Sequence, residues 1–356
     1  MALDRITLTH FRNHPATRLE GTAKFNLLVG ENGAGKTNVL EALSLLAPGR
    51  GLRRAALTEL PSQQGDGGCA VSAELVGGVQ LGTGIRPERP GRRVARANGA
   101  EIAALALSEW LSIGWLTPAM DRLFAEGAGS RRRFLDRLVL ALEPGHAKQA
   151  ARMEAALRER NRLLVEPSEP DPAWLDALEQ QLAEAGALVA QARARLITAL
   201  AERLALLPEA PFARPELTYR AGGPLEAGVL AAELQATRRR DRGAGRTLTG
   251  PHRDELEVVM AGKGQPAAAC STGEQKALLI AITLAHADLL EDRRPALLLL
   301  DEVAAHLDPV RRAALFDRLR SGPAQVWLTG TELAPFDAIA SEATIWRVIG
   351  GAVERI

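Results

Sequence analysis

The chain has 356 residues, 46% apolar and 24% charged, which is a globular composition with material for a substantial core in one large domain or two. The formal net charge of +1 excludes a polycation, so any nucleic-acid site has to come from a local cluster. Two distant cysteines, Cys69 and Cys270, suggest neither a disulfide framework nor a zinc site.

The N-terminus lacks the apolar core of a signal peptide, and no stretch approaches the ~18 apolar residues of a membrane span, so the expected location is the reducing cytoplasm, without a membrane. Ile6-Thr7-Leu8-Thr9 alternates as a strand and runs into Phe11-Arg12-Asn13 before a second strand-like segment at Ala16 to Leu19, a hairpin edge. The apolar run Phe25 to Val29 then leads into Gly30-Glu31-Asn32-Gly33-Ala34-Gly35-Lys36-Thr37, which has the G-x-x-x-x-G-K-T spacing of a phosphate-binding loop. Glycines let the backbone N–H groups converge on a phosphate, and the N-terminus of the following helix adds partial positive charge. Lys36 would reach the β- and γ-phosphates, Thr37 would offer its hydroxyl to Mg²⁺, and Asn38 continues into a helix that Pro48-Gly49 stops.

Short alternating segments at Cys69 to Val76, Val79 to Ile85 and Val94 to Ala97, with Asn98-Gly99 as a turn, predict an antiparallel meander. From about Arg131 the period changes, with Phe134, Leu135, Leu138, Val139 and Leu142 on one helical face. Trp174, Leu178, Leu182, Ala185, Val189, Ala192, Leu196 and Leu200 form the seam of a longer helix. The Pro-rich break from Glu166 to Pro172 makes the two segments an antiparallel hairpin near 145–207. Residues 173–207 would span about 50 Å, a compact arm and not a long coiled coil.

Arg238, Arg239 and Arg240, with Arg242 and Arg246, read as a basic link before a strand at Leu256 to Met260; Arg238, Arg239 and Arg240 are a candidate DNA contact, with a solvated loop as the competing reading. Strands at Ala296 to Leu300, Gln325 to Leu328 and Thr344 to Val348 alternate with helices at Pro309 to Arg320 and Pro335 to Ala340, which implies a largely parallel sheet.

Leu297 to Leu300 followed by Asp301-Glu302 is a buried strand ending in two acids, suited to ordering Mg²⁺ with the first carboxylate and polarising water with the second. Upstream, Ser271-Thr272-Gly273-Glu274-Gln275-Lys276 opens a helix with a capping serine, a close-approach glycine and unpaired N–H groups. That hexapeptide is similar to the ABC signature, and His306-Leu307-Asp308 stands where a D-loop would.

The combination resembles the RecF proteins, ATPases of the SMC-like branch of the ABC class. The resemblance rests on Phe11-Arg12-Asn13, Gly30 to Asn38, Trp115-Leu116-Thr117-Pro118 with Asp121, Arg132-Arg133-Phe134-Leu135-Asp136, Thr249-Gly250-Pro251-His252-Arg253-Asp254, Ser271 to Lys276 and Leu300 to Asp308. It implies an α/β fold, an ABC-type ATPase head of residues 1–116 plus 245–356, with a helical lobe and basic linker over 117–244. Residue by residue, Gly30 to Asn38 would hold ATP with Arg12 and Asn13 nearby, and Thr37 and Asp301 would hold Mg²⁺. Glu302 would activate water, Ser271, Gly273, Glu274 and Gln275 would act on the nucleotide of a second molecule, and Asp308 would belong to the D-loop.

By the same resemblance the protein would be a weak ATPase that dimerises with ATP on double-stranded or gapped DNA. It would act in recombinational repair, replication restart and the SOS response, with RecO and RecR as partners. A transporter ATPase subunit and a non-hydrolysing scaffold remain alternatives at this point. Two positions depart from the ABC pattern: Gln63 and Gln64 sit in a glycine-rich turn and make no convincing Q-loop, and Thr329-Gly330-Thr331 takes the place of the switch histidine.

Overall fold

Phe25–Val29, Ala296–Leu300 and Gln325–Gly330 are buried along almost their whole length, and such strands need cover on both faces. The structure, a computed structural model, describes residues 2–168, 170–208, 210–290, 294–304 and 307–356. His306, expected in the D-loop, lies outside the described residues. Tertiary contacts divide the chain into two units, Met1–Asp121 with Ala210–Phe212 and Leu279–Ile356, and Arg122–Glu209 with Ala213–Leu278.

The first unit opens with β1 (Leu3–Phe11), β2 (His14–Glu20), β3 (Phe25–Val29), α1 (Lys36–Ser44), β4 (Cys69–Leu75), β5 (Gln80–Ile85), β6 (Arg93–Ala97), β7 (Ala100–Ile102) and β8 (Ser112–Leu116). The second unit holds α2 (Ala128–Leu142), α3 (His146–Leu164), α4 (Pro172–Ala205), β9 (Pro215–Arg220), α5 (Ala227–Ala236), α6 (Arg238–Ala244), β10 (Glu255–Met260) and β11 (Gln265–Pro266). Helix α7 (Thr272–Asp288) carries the chain across the division at Leu278/Leu279. The first unit closes with β12 (Ala296–Leu300), α8 (Pro309–Ser321), β13 (Gln325–Gly330), β14 (Ala343–Ile349) and β15 (Ala352–Arg355).

Two six-stranded sheets make the first unit. One runs β15-β14-β3-β13-β12-β8, parallel except for β15, and the other is the antiparallel meander β2-β1-β4-β5-β6-β7. Leu297, Leu299, Trp327 and Val348 share a core cluster with Leu3, Leu8, Phe11 and Leu40, so the β1–β2 hairpin and α1 pack into the same interior as the parallel sheet. Burying each such leucine contributes roughly 2 kcal/mol. The packing fixes the strand ends, and it is at those ends that the chemistry-bearing loops leave the sheet.

In the second unit α3 and α4 pair as the predicted hairpin, around a core that includes Met153, Ala156, Leu182, Ala185 and Val189. The seam holds from Leu182 to Leu200, but Trp174 is half exposed, with the Arg162 guanidinium 5.8 Å from its ring centre. Arg160 is fully buried and donates to Glu179, Asp241, Thr247 and the Leu234 carbonyl at 2.7–3.0 Å. Glu179 also binds Arg238, so two arginines face the buried pair Glu179 and Asp241. Arg160→Leu should lower unfolding free energy by about 3–5 kcal/mol, because Asp241 keeps its burial and loses its arginine partner, and Glu179 is left with Arg238 alone. Denaturant titration checks it, and a change under 1 kcal/mol would contradict the network's role.

Three expectations are corrected. Residues 238–244 are a helix, α6, because Arg238 and Asp241 face inward onto buried partners. Pro335 to Ala340 is a 3-10 segment, Ala334–Glu342. Residues 245–278, expected with the head, fall in the second unit, where β10 pairs with β9, a strand the alternation reading passed over.

Candidate nucleotide-binding site

Between β3 and α1 the loop curls with Gly33 and Gly35 at positive φ, 83° and 118°. Gly35 is doubly required, because a Cβ there would lie 2.8 Å from the side chains of Asn13 and His14. Lys36, at the first position of α1, is almost fully buried, and its Nζ donates to the carbonyls of Gly30 and Glu31 at 2.6 and 2.8 Å. Burial lowers its pKa, while the carboxylates of Glu302 and Asp301 push it back up, so the ammonium sits within electrostatic reach of both acids. The lysine thus spans the loop from inside, with a helix N-terminus at its base.

Strands β12 and β13 bring the acids to the same place. Thr37 and Thr329 both donate to Asp301 Oδ1, at 2.9 and 2.8 Å, and the Glu302 N–H donates to the Thr329 hydroxyl at 2.9 Å. Thr329, in the place expected for a histidine, therefore ties the two acids to the neighbouring strand. Glu302 takes φ 54°, a left-handed value uncommon for a non-glycine residue, as the chain turns off the strand. Burial raises the Asp301 pKa, with Glu302 adding to the rise and the two threonines opposing it. A buried carboxylate of this kind beside a hydroxyl suits a hard divalent cation such as Mg²⁺. Among the described residues no group of three or more His, Cys, Asp or Glu side chains could hold a metal alone, so phosphate and water oxygens would complete the shell.

The Phe11-Arg12-Asn13 opening clamps the loop from its other side. Asn13 donates to the Ala34 carbonyl at 2.9 Å and accepts from Asn38 at 2.7 Å, and burial keeps His14 neutral with its Nε2–H on the Gly35 carbonyl at 3.1 Å. Arg12 turns onto Glu41, making two 3.0 Å bonds to a carboxylate that is fully buried one turn beyond Thr37. Arg53 bonds the same carboxylate at 3.2 Å and the Asn38 side-chain oxygen at 2.5 Å. Glu41 and Arg53 were not anticipated. The available signal was an acid inside the apolar run Val39 to Leu43, since a carboxylate buried on a helix must be paired.

Beside Asp301, whose N–H donates to the Leu116 carbonyl, the chain leaving the sheet is Thr117-Pro118 at the end of β8. Gln63 and Gln64 are exposed on the loop that follows Pro61, which bridges Phe11, and the structure brings neither to the acids.

In the second unit the Ser271 segment forms a reciprocal cap on α7. The Ser271 N–H and hydroxyl both donate to Glu274 at 2.9 Å, and the Glu274 N–H returns a bond of 3.3 Å to the hydroxyl. Lys263, followed by those Ser271 groups, holds the Glu274 pKa down to about 2. Gln275 turns inward to the Cys270 carbonyl, and Gly273 has open space where a side chain would be. Asp308 caps α8 through the Arg311 N–H at 2.9 Å. Arg239 and Arg240 are exposed, whereas Arg238 is committed to Glu179 and Asp176, so the three do not present one face to a ligand.

The model of the RecF/RecN/SMC N-terminal domain matches residues 2–332. The DNA replication and repair protein RecF of Mesorhizobium japonicum is 47% identical over 370 residues, covering 99% of this chain and 97% of that protein. Among solved structures, the recombination mediator protein RecF with ATPrS, of the RecFOR pathway, superimposes with a TM-score of 0.86 at 22% identity, over 99% of this chain and 98% of that one. An SMC head bound to the C-terminal winged-helix domain of ScpA gives 0.53 at 15% identity, over 100% and 98%, which agrees with an ABC-type head fold. With the phosphate loop, the acid pair and the clamp of Asn13 on one framework, and a full-length relative this similar, the chain belongs to the RecF family.

Proposed function

We propose that this chain is an ATP-dependent DNA-binding protein of recombinational repair and replication restart. The observation that carries the reading is the convergence of Lys36, Thr37, Asp301 and Glu302, tied by Thr329, at the end of one parallel sheet. Gly30 to Asn38 would bind the phosphates of ATP, with the loop amides and Lys36 supplying positive charge. Thr37 and Asp301 would hold Mg²⁺, whose charge offsets that of the β- and γ-oxygens. Glu302 would accept the proton of the attacking water, slowly enough for hydrolysis to act as a switch. Arg12, Asn13 and Glu41 act as positioning residues, holding the loop and its helix.

ATP would join two copies through the Ser271 segment, and the dimer would hold duplex DNA near gaps until hydrolysis releases it. RecF family membership supports this reading over a transporter subunit, and RecO and RecR are the partners that membership suggests. Among the described residues no helix is long and apolar enough to cross a membrane. The test is light scattering and gapped-DNA binding with ATP, ADP or no nucleotide. ATP-specific dimerisation together with DNA binding supports the proposal, and a monomer indifferent to ATP and DNA overturns it.

Asp301→Asn gives a result with two opposite signs. Because the folded pKa of Asp301 is raised, the folded state retains a proton that the unfolded state loses, and stability falls as pH rises from the ordinary aspartate value through the folded one. At neutral pH the ionised Asp301 is therefore a cost. The amide should raise the melting temperature of the nucleotide-free protein at pH 7, with the gain shrinking toward pH 4. It should also weaken the Mg²⁺ dependence of ATP binding. A lower melting temperature with unchanged Mg²⁺ dependence would refute both statements.

A further inference from the structure

Resting on the DNA-binding reading above, we infer that the β5–β6 hairpin of the antiparallel sheet is a contact surface for the phosphate backbone of duplex DNA. The net charge of the whole chain is +1, yet residues 86–96 hold five arginines (Arg86, Arg89, Arg92, Arg93 and Arg96) against one acid, Glu88. The hairpin loop is ordered by two successive turns, in which Arg89 N donates to the Arg86 carbonyl at 2.9 Å and Arg92 N to the Arg89 carbonyl at 3.0 Å. Arginines therefore recur at every third position along a fixed backbone.

One of the five is structural. Arg93 donates to Thr83 and to the carbonyls of Leu45, Ala47 and Gly49 at 2.5–2.8 Å, and burial lowers its pKa to about 10. That fixes the hairpin base beside the exposed Arg50. The other four are exposed. Arg86 and Arg92 share a single acid, Glu101, at 3.4 and 3.5 Å, and Arg96 stands opposite the same Glu101 across the β6–β7 ladder, while Arg89 has no ion pair among the described residues. Four arginines against Glu88 and Glu101 leave a surplus of two positive charges around this hairpin.

Surface shape gives an independent indication. Ser72, Gly82 and Arg96 stand in one cross-strand row, and Ala70 and Gly84 occupy the next row on the same face. Gly84 is demanded by the fold, since a Cβ there would lie 2.4 Å from the Cys69 carbonyl. Gly82 is not, because a Cβ would meet nothing closer than 3.8 Å and its φ is ordinary. Glycine weakens a strand, and its presence without an internal need fits close approach by another backbone. Loop residues 86–92 are Arg, Pro, Glu and Gly only, so they carry no aromatic or aliphatic anchor for a protein hot spot or a bilayer. Guanidinium groups beside a face kept low at Gly82 and Gly84 match phosphate oxygens.

The experiment measures gapped-duplex binding by anisotropy across a salt series, with ATP. In Arg86→Gln/Arg89→Gln/Arg92→Gln/Arg96→Gln the log–log salt slope should become shallower by about 3–4, at roughly 0.9 per lost contact, and low-salt affinity should fall at least tenfold. ATP binding and ATP-driven dimerisation should be unchanged. The corresponding fourfold lysine variant should bind DNA nearly as the wild type does. Gly82→Thr should raise the melting temperature, as a better strand former, and weaken DNA binding several-fold. A fourfold glutamine variant with wild-type slope and affinity overturns the surface assignment while leaving the nucleotide-driven DNA reading intact. Wild-type protein that binds ATP but no DNA overturns both.

Discussion

Lys36→Ala should yield a folded protein that no longer binds ATP measurably. The wild-type ammonium is almost fully buried and is held by the Gly30 and Glu31 carbonyls, so it is positioned before any phosphate arrives and little side-chain entropy remains to be lost on binding. A charge-assisted contact of this kind contributes on the order of 2 kcal/mol, roughly 30-fold in affinity, and its removal also leaves phosphate charge uncompensated beside Asp301 and Glu302. Both effects act in the same direction. Isothermal titration of nucleotide binding, with circular dichroism to verify folding, is the measurement. Undiminished affinity in a folded variant would refute the assignment of the loop. Lys36→Arg would not restore binding fully, because the planar fork cannot reproduce a point charge inside the turn.

The framework of this site was legible because each part depends on local spacing. The phosphate loop, the all-leucine strand before Asp301 and the serine cap of α7 all follow from patterns within about ten residues. Long-range pairing was not legible in the same way. Glu41 reads as an ordinary helix position until the structure places Arg12 and Arg53 on its carboxylate from two separate loops. Thr329 reads as a missing histidine until its hydroxyl is seen between Asp301 and the Glu302 N–H. The helix that begins at Arg238 was not legible for a related reason. Charge runs are usually solvated, but here Glu179 on α4 draws Arg238 inward, Asp241 within the run accepts from the buried Arg160, and the segment folds as a helix. Arginines of residues 86–96 do not read as a cluster in the sequence because prolines and glycine separate them, although two turns and a hairpin align them.

The second large effect concerns Ser271. In ABC-type heads, which family membership implies for this chain, the signature helix meets the nucleotide held by a second molecule, so the α7 cap should face the γ-phosphate bound by a partner's phosphate loop. In the structure the Ser271 hydroxyl and N–H are both given to Glu274, which Lys263 also holds, so a phosphate has to compete with an internal carboxylate for the end of the helix. Only a ligand carrying the γ-phosphate places enough negative charge there to win, which predicts dimerisation with ATP and not with ADP. Ser271→Arg removes the cap, disrupts the exchange with Glu274 and fills the space beside Gly273. The variant should bind ATP as the wild type does and fail to dimerise. Mixed with Lys36→Ala, it should recover at most one composite site, made from the intact loop of one chain and the intact signature of the other. Single-turnover hydrolysis and light scattering on the separate and mixed proteins measure this. An ATP-bound Ser271→Arg homodimer with wild-type turnover would rule out action in trans, and an ATP-driven clamp would then need a different joint.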